Sequence, residues 1–552
     1  MIIIRVYKFI FLFYPVGIIA IKNIYTMNRF MIRRKKIIPV FLFFTILAAA
    51  RSSAQDNPLF RHLPPNATSI IHLNVPVIAG KMNLQELMGS FPNSGKKPGT
   101  DIADLLKDLT EAGVDAGRDV FLTETRQASP DSAIYMTLLV HLRDSARFLA
   151  FLRKEEADRL RIVLYPGKIF SASERNMGAA WNKDLAVIVS VSKGVTGGGT
   201  PVNRAYFAAK RSLASLAGYD KSFYTTDPDF RAGFSDGADI QIWTEQGNAL
   251  SMLTRKFMPP TLPGNSPFTT AADKPKGKSL ISIRFGTGKI TFQSHVYFTA
   301  GTATGYAGYK NRPMDISLLA HVPKGNLLGF FSLNVDLLLT GEMMKKFDTH
   351  HKLDTILARK HLSLVTILHA FKGDLLLAAL EPVQEDPAQK PKVPVYLVIP
   401  INDLSAFNSV AAAYKATQDS TKADSSGQKP GLFGKMKLVS GLKNNLLVVS
   451  TSQENVDAYL NNTENRSTDF LTGEMKQNSF SMLIDFKILA DFVHHMSAQP
   501  SGKDKKMSDI LDALDKLVVT SGVKEGKMDT YFELKFTDQG QNSLKTLVQL
   551  MH

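Results

Sequence analysis

SIIHLNV, residues Ser69–Val75, and GFFSLNV, residues Gly329–Val335, are nearly one phrase written twice in a chain of 552 residues. Each phrase follows proline (Pro64-Pro65, then Pro323) and runs into apolar, helix-like text. The first is β-branched and bounded by a Pro-Pro-Asn turn, which predicts a strand over Thr68–Leu73. A catalytic motif, a coincidence and a duplicated fold are the three readings. A duplication requires further segments in the same order at a nearly constant offset.

Such segments are present. Asn74 and Asn334 are offset by 260, LLVHLRD (138–144) and LVIPIND (397–403) by 259, and LAVIVS (185–190) and LLVVS (446–450) by 261. Asp229-Phe230 with Gly233 then matches Asp469-Phe470 with Gly473 at 240, and Gly288-Lys289 matches Gly526-Lys527 at 238. One insertion of about 20 residues in the first half explains the step. It falls between Ser190 and Asp229, where a Gly-rich loop and the helical text NRAYFAAKRSLASLAG face only QENVDAYL in the second half.

The predicted organisation is a signal segment over 1–54, α+β copy one over 56–300, a linker over 301–316 and α+β copy two over 317–552. Each copy is expected to be a mainly antiparallel sheet with helices packed on it, because strand-like runs are joined by short turns with helices between them. In copy one, Ile102, Leu105, Leu106 and Leu109 fall at helical spacing. Val120–Thr123, Ile134–Leu142 and Asp239–Thr244 read as strands, and Asp144-Ser145 caps a helix whose apolar face is Ala146, Phe148, Leu149 and Leu152. Ser279–Phe285 and Lys289–Phe298 form a hairpin around Gly286-Thr287-Gly288, and Leu544, Leu547 and Leu550 mark a closing helix. Gln384–Pro391, Ala416–Gly431 and Met258–Lys278 are polar and Pro/Gly/Ser-rich, with little to bury.

MIRRKK from Met31, then IIPVFLFFTILAAA and RSSAQ, form a basic, an apolar and a small-residue region in sequence. That is the form of a cleavable export signal, with Ser52 and Ala54 placed for cleavage before Gln55. The apolar run is shorter than the roughly 20 residues a spanning helix needs, so no stable membrane span is expected after cleavage. The earlier run Phe9–Ile21 is broken by Pro15 and Gly17, and a start at Met27 or Met31 would exclude it. The chain is therefore expected in the periplasm or outside the cell. It has no cysteine, which excludes disulfides, thiolate metal sites, cysteine nucleophiles and a lipoprotein anchor.

The formal charge of +16 is misleading as a nucleic-acid signal. Nine Lys/Arg and no acid precede Ala54, so the remainder carries only about +7. With two tryptophans there is no stacking platform either, and no nucleic-acid partner is expected.

Each chemical motif fails in context. Gly233-Phe234-Ser235-Asp236-Gly237 fits G-x-S-x-G, but a nucleophile elbow needs a strand before it and a helix after it. Here a strand follows, and the repeat sets Met475 opposite Ser235. Gly277-Lys278-Ser279 lacks the upstream glycine and the following helix of a phosphate loop. His350-His351 and His494-His495 lack the i, i+4 spacing of a metal pair. Asp220, Asp227, Asp229, Asp236 and Asp239 lack the alternation of a calcium loop. Asn74 and Asn334 each end a strand before a helix, where capping explains them. No catalytic, cofactor-binding or metal-ligating residue is assigned, and no cofactor is expected.

The order of a signal peptide, LPPNATSIIHLNV, an apolar helix, a repeated middle and a terminal NSLKTLVQL resembles domain-of-unknown-function family 4836 of exported Bacteroidetes envelope proteins. The likeness spans most of the mature chain and lies in apolar patterns. It implies an envelope location and brings no reaction, cofactor or catalytic residue. The function expected is that of a non-catalytic binding or scaffold protein with a protein, glycan or lipid partner. The alternative is a secreted hydrolase whose site is assembled from distant residues.

Overall fold

The computed structural model describes residues 57–82, 112–115, 117–126, 133–155, 161–167, 169–174, 177–192, 202–234, 237–245, 277–298, 311–346, 354–355, 357–358, 361–384, 391–421, 438–496, 503–524 and 526–551. The signal segment, the Ile102–Leu109 helix, Ser235, Asp236 and His350-His351 lie outside them. The protein is α+β, and it forms two compact units. Unit 1 comprises 1–246, 278–292 and 539–552, and unit 2 comprises 247–277 and 293–538.

Unit 1 contains β1 (Ala67–Leu73), β2 (Val120–Arg126), β3 (Ile134–His141), β4 (Arg161–Tyr165), β5 (Ile169–Glu174), β6 (Met177–Trp181), β7 (Leu185–Ser192), β8 (Ile240–Thr244) and β9 (Gly277–Gly286). Every pairing among them is antiparallel, in the order β4-β5-β6-β7-β3-β2-β1-β8-β9. The next strand, β10 (Lys289–Phe298), follows a turn in which Gly288 adopts φ +65°, as the hairpin requires.

One buried row crosses this sheet: Val189, Thr137, Thr123, Ile70, Trp243 and Leu280 stand opposite one another in sequence. All six have no exposed surface. Burying such a row removes apolar area from water at roughly 25 cal/mol per Å2. The alternation of apolar positions along each strand fixes which face receives it.

The helices of unit 1 are α1 (Val75–Ala79), α2 (Ser145–Glu155), α3 (Val202–Ala217), α4 (Phe223–Thr226) and α5 (Pro228–Gly233). Asp144 opens α2 by accepting from the amides of Ala146 and Arg147 at 2.9 and 3.0 Å. Phe148 is buried on that helix, whereas Ala146, expected beside it, is exposed. Phe148 meets Trp181 edge-on at 5.4 Å. On the other face α3 crosses β6 so closely that a Cβ on Gly178 would lie 2.2 Å from the Ala209 nitrogen. Gly178 and Trp181 are three residues apart and point to opposite faces. Helices therefore cover both faces at this end of the sheet.

Unit 2 begins its packing before the expected boundary at 317. Asn311 accepts from the Ser479 amide at 3.2 Å, and Met314 is buried in the core. Its helices are α6 (Ile316–Ala320), α7 (Leu337–Lys346), α8 (Leu364–Ala370), α9 (Leu404–Thr421), α10 (Gln453–Leu460), α11 (Gly473–Gln477), α12 (Phe486–Met496) and α13 (Lys503–Ala513). Helix α9 continues to Thr421, six residues into text whose composition predicts no packed structure. The strands are β11 (Leu327–Asn334), β12 (Asp374–Leu380), β13 (Val395–Pro400), β14 (Val439–Lys443), β15 (Leu446–Ser450), β16 (Phe480–Asp485), β17 (Leu514–Lys524) and β18 (Lys527–Phe536).

These strands pair antiparallel in the order β14-β15-β13-β12-β11-β16-β17-β18. Their buried row is Ser450, Tyr396, Ala378, Phe330 and Leu483, with the half-buried Val518 at its end. The last helix, α14 (Ser543–Met551), belongs to unit 1 rather than to the second copy expected from sequence. It buries Leu544 and Val548. Among the described residues no helix is long and apolar enough to cross a membrane.

Candidate functional site: a polar cleft in unit 1

A cleft of about 340 Å3 opens in unit 1 where four chain segments meet. The first is the 3-10 turn Pro58–His62, started by Asn57, whose side chain accepts from the Leu59 amide at 3.0 Å. The second is the turn before β2. There Asp115 accepts from the Gly117 amide at 3.0 Å and lies 3.7 Å from Arg118. The third is the end of β3, at His141 and Leu142, and the fourth is the β6–β7 turn. In that turn Asn182 accepts from the amides of Asp184 and Leu185, both at 2.9 Å. Backbone bonds lock the segments together: Asp115 donates to the His141 carbonyl at 2.9 Å, and Leu142 donates to the Asp184 carbonyl at 2.8 Å.

His62 is buried, with Nδ1 2.7 Å from the Ser215 carbonyl. A carbonyl only accepts, so Nδ1 carries the proton and Nε2 presents a lone pair. Arg61 Nε donates to that lone pair at 3.0 Å. Burial holds the His62 pKa below its ordinary value, and the charge of Arg61 adds to the effect. His141 is lowered too, first by burial and then by Arg118, against the opposing pull of Asp115, Asp119 and Asp184. Both imidazoles are therefore neutral at pH 7, and the lining offers two guanidinium groups against two carboxylates.

Behind the cleft Asp119 accepts from Asn57 Nδ2 and stands 3.6 Å from His72 Nε2. His72 stacks on Phe121 and reaches Gln241 at 3.2 Å, and Gln241 donates to the Gly233 carbonyl at 2.9 Å. This chain of contacts ties the sheet to the end of α5.

The residues singled out in the sequence do not gather here. Asp239 is fully buried and bound by Lys81 at 2.6 and 2.7 Å, and it accepts from the Phe285 amide. Asp227 caps α5 through the Phe230 amide at 2.9 Å and pairs with Lys278 at 2.5 Å. The two acids thus hold structure, and Lys278 opens a strand rather than a phosphate loop. Among the described residues no group of three His, Cys, Asp or Glu could hold a metal.

Two expectations need correction. Asn74 does cap α1, through the Val77 amide at 3.3 Å. Asn334 does not cap α7: its amide donates to the Pro313 carbonyl at 2.7 Å, and Asp336 caps the helix through Leu339 at 3.0 Å. The chain takes two more residues to turn from β11 into α7, so Asp336 rather than Asn334 immediately precedes the helix and meets its free amides. Nor does Asp229-Phe230 lie as Asp469-Phe470 does. Helix α5 starts after Asp227 and α11 after Thr472, and Phe230 is buried while Phe470 is 42% exposed. The buried residue capped in α11 is Met475, as Phe230 is in α5, so Met475 gives no evidence about Ser235.

In unit 2, His494 on α12 binds Asp512 on α13 at 2.8 Å, and Ser508 lies 3.3 and 3.4 Å from its two ring nitrogens. The composition is that of a hydrolytic triad, but the geometry is not. Asp512 occupies Nε2, Ser508 sits beside the ring near both nitrogens at once, and the serine is nearly fully buried. The group clasps two helices.

No family model matches the chain, and no curated protein matches it. Among solved structures it is similar to TP0453 in crystal form IV, at 10% identity and TM-score 0.27 over 43% of this chain and 79% of that one. For crystal form III the values are 8%, 0.28, 45% and 82%. At those scores the likeness assigns neither a fold family nor a function.

Proposed function

We propose that the chain is an exported envelope protein that binds a ligand without transforming it, built from two tandem copies of one α+β fold. The observation that carries the duplication is register. The buried row of unit 1 and that of unit 2 align strand by strand: Ile70 with Phe330, Thr137 with Tyr396, Val189 with Ser450, Trp243 with Leu483 and Leu280 with Val518. These pairs are offset by 260, 259, 261, 240 and 238, and Thr123 with Ala378 by 255; the values 260, 259, 261 and 238 are ones at which the sequence repeats itself. A slip of one residue in any strand would turn its apolar positions to the wrong face.

Local contacts support the same reading. Asp144 caps α2 and Asp403 caps α9 through equivalent amides. Leu142 donates to the Asp184 carbonyl, and Ile401 donates to the Asn445 carbonyl.

Export rests on Met31–Gln55, and the affinity to family 4836 rests on the order of sequence segments. Amino-terminal sequencing of exported material checks the first, with a free Gln55 expected. The polar cleft is the binding site in this account, because it collects charged and neutral polar groups that the packing of the sheet does not use. Native mass spectrometry of the mature chain after exposure to an envelope extract tests binding without turnover. The expected result is a retained ligand of unchanged mass. Disappearance of the ligand with release of a smaller product would favour the hydrolase.

A further inference from the structure

Within the same cleft, and resting on its reading as a binding site, Arg61 has geometry that packing does not explain. Its Nε is committed to His62, and His62 is in turn fixed by the Ser215 carbonyl. Arg61 lines the cleft, and no carboxylate pairs with its guanidinium among the described residues. Asp115 and Asp184 line the same cleft but face Arg118 and the neighbouring Lys183.

The corresponding positions in unit 2 show what the fold itself needs. At offsets of 259 and 257, Arg61, His62, His141 and Asp115 answer to Ala320, His321, Pro400 and Lys372. Ala320 still accepts a backbone bond, from Arg466, as Arg61 accepts one from Tyr219. The turn is therefore closed equally well without a guanidinium, without a second imidazole and with the acid replaced by a base. The charge of Arg61 serves something other than closing that turn.

We propose that unit 1 alone is specialised to bind the anionic group of a small polar molecule, with the Arg61 guanidinium gripping a carboxylate or phosphate through its terminal nitrogens. An Arg held at Nε presents two parallel donors, the arrangement that matches two anion oxygens at once. Neutral His62 is the buried support that orients it. Asp184 and Asn182 across the cleft accept from and donate to hydroxyl groups on the rest of the molecule.

The test is an NMR titration of the mature chain carrying 13C-labelled histidine, at constant ionic strength. Sodium phosphate and sodium acetate are the probes, and glucose is the neutral control. Signals of His62 and His141 should move saturably with at least one anion. Arg61→Gln should weaken that anion by about tenfold or more, and Arg61→Lys by less, because it keeps the charge and loses the paired donors. Arg61 is exposed, so near-UV circular dichroism is expected to show both variants folded. An anion midpoint unchanged in Arg61→Gln would overturn the proposal, as would signals that neither anion moves. Movement with glucose but not with the anions would sink the anion site and leave the cleft a binding site for neutral molecules.

Discussion

Ile70 and Trp243 stand directly opposite each other across β1 and β8, and neither has any exposed surface. Phe330 and Leu483 stand opposite across β11 and β16, buried to 3% and 8% exposure. The centre of each unit is therefore a cross-strand pair of large apolar side chains. Ile70→Ala and Phe330→Ala should each destabilise by about 2–5 kcal/mol, the cost of losing transfer energy and leaving a cavity. Chemical denaturation followed by Trp fluorescence would check Ile70→Ala, since both tryptophans lie in unit 1.

In the same row Thr123 and Thr137 are fully buried, and among the described residues their hydroxyls find no hydrogen-bond partner. At the place of Thr123 the buried row of unit 2 carries Ala378. Thr123→Val and Thr137→Val should each stabilise the protein by about 1 kcal/mol, because an unsatisfied buried hydroxyl is removed at nearly constant volume. A rise in the denaturation midpoint with an unchanged slope is the expected reading.

Lys81 is the cation of a pair whose carboxylate, on Asp239, has no exposed side-chain surface. Burial raises the Asp239 pKa even against Lys81 and the Phe285 amide. Lys81→Met should cost about 3–5 kcal/mol at pH 7 by stranding a buried charge. The loss should shrink in acid, where Asp239 takes up a proton. Adding Asp239→Asn should restore part of the stability at neutral pH.

His62 and His141 have folded-state pKa values below the ordinary 6.5. The unfolded chain then binds more protons than the native one as pH falls below about 6.5, so their contribution is present at neutral pH and lost on acidification. His141→Gln should remove its share. The stability difference between the parent and His141→Gln should shift against the parent between neutral pH and pH 5, as read from urea midpoints.

What the sequence made legible was periodic. Strands and offsets appeared because β-branched runs recur at spacings that few alternatives produce, and a cap such as Asp144 has a local signature. Helix α5 was misaligned with α11 because five residues are gained between helix and strand, and one Asp-Phe coincidence outweighed the caps at Asp227 and Thr472. The cleft was invisible for a different reason. Its residues come from four unremarkable segments, and only the fold brings Arg61, Asp115, His141 and Asp184 together. One signal was available: the repeat extends upstream, with His62-Leu63-Pro64 answered by His321-Val322-Pro323, and Arg61 against Ala320 is the first change of chemical type.

The absence of cysteine gives a clean way to measure register in both units at once. Oxidative crosslinking should join Cys placed at His72 and Gln241 in unit 1, and at Ser332 and Ser481 in unit 2, since each pair lies directly opposite. Controls at His72 with Ile242, and at Ser332 with Met482, are moved by one residue, point to opposite faces and should stay open. Crosslinking of both true pairs and neither control is the predicted result. A unit 2 that instead joins Ser332 with Met482 would contradict the shared register, and with it the claim that one fold was written twice.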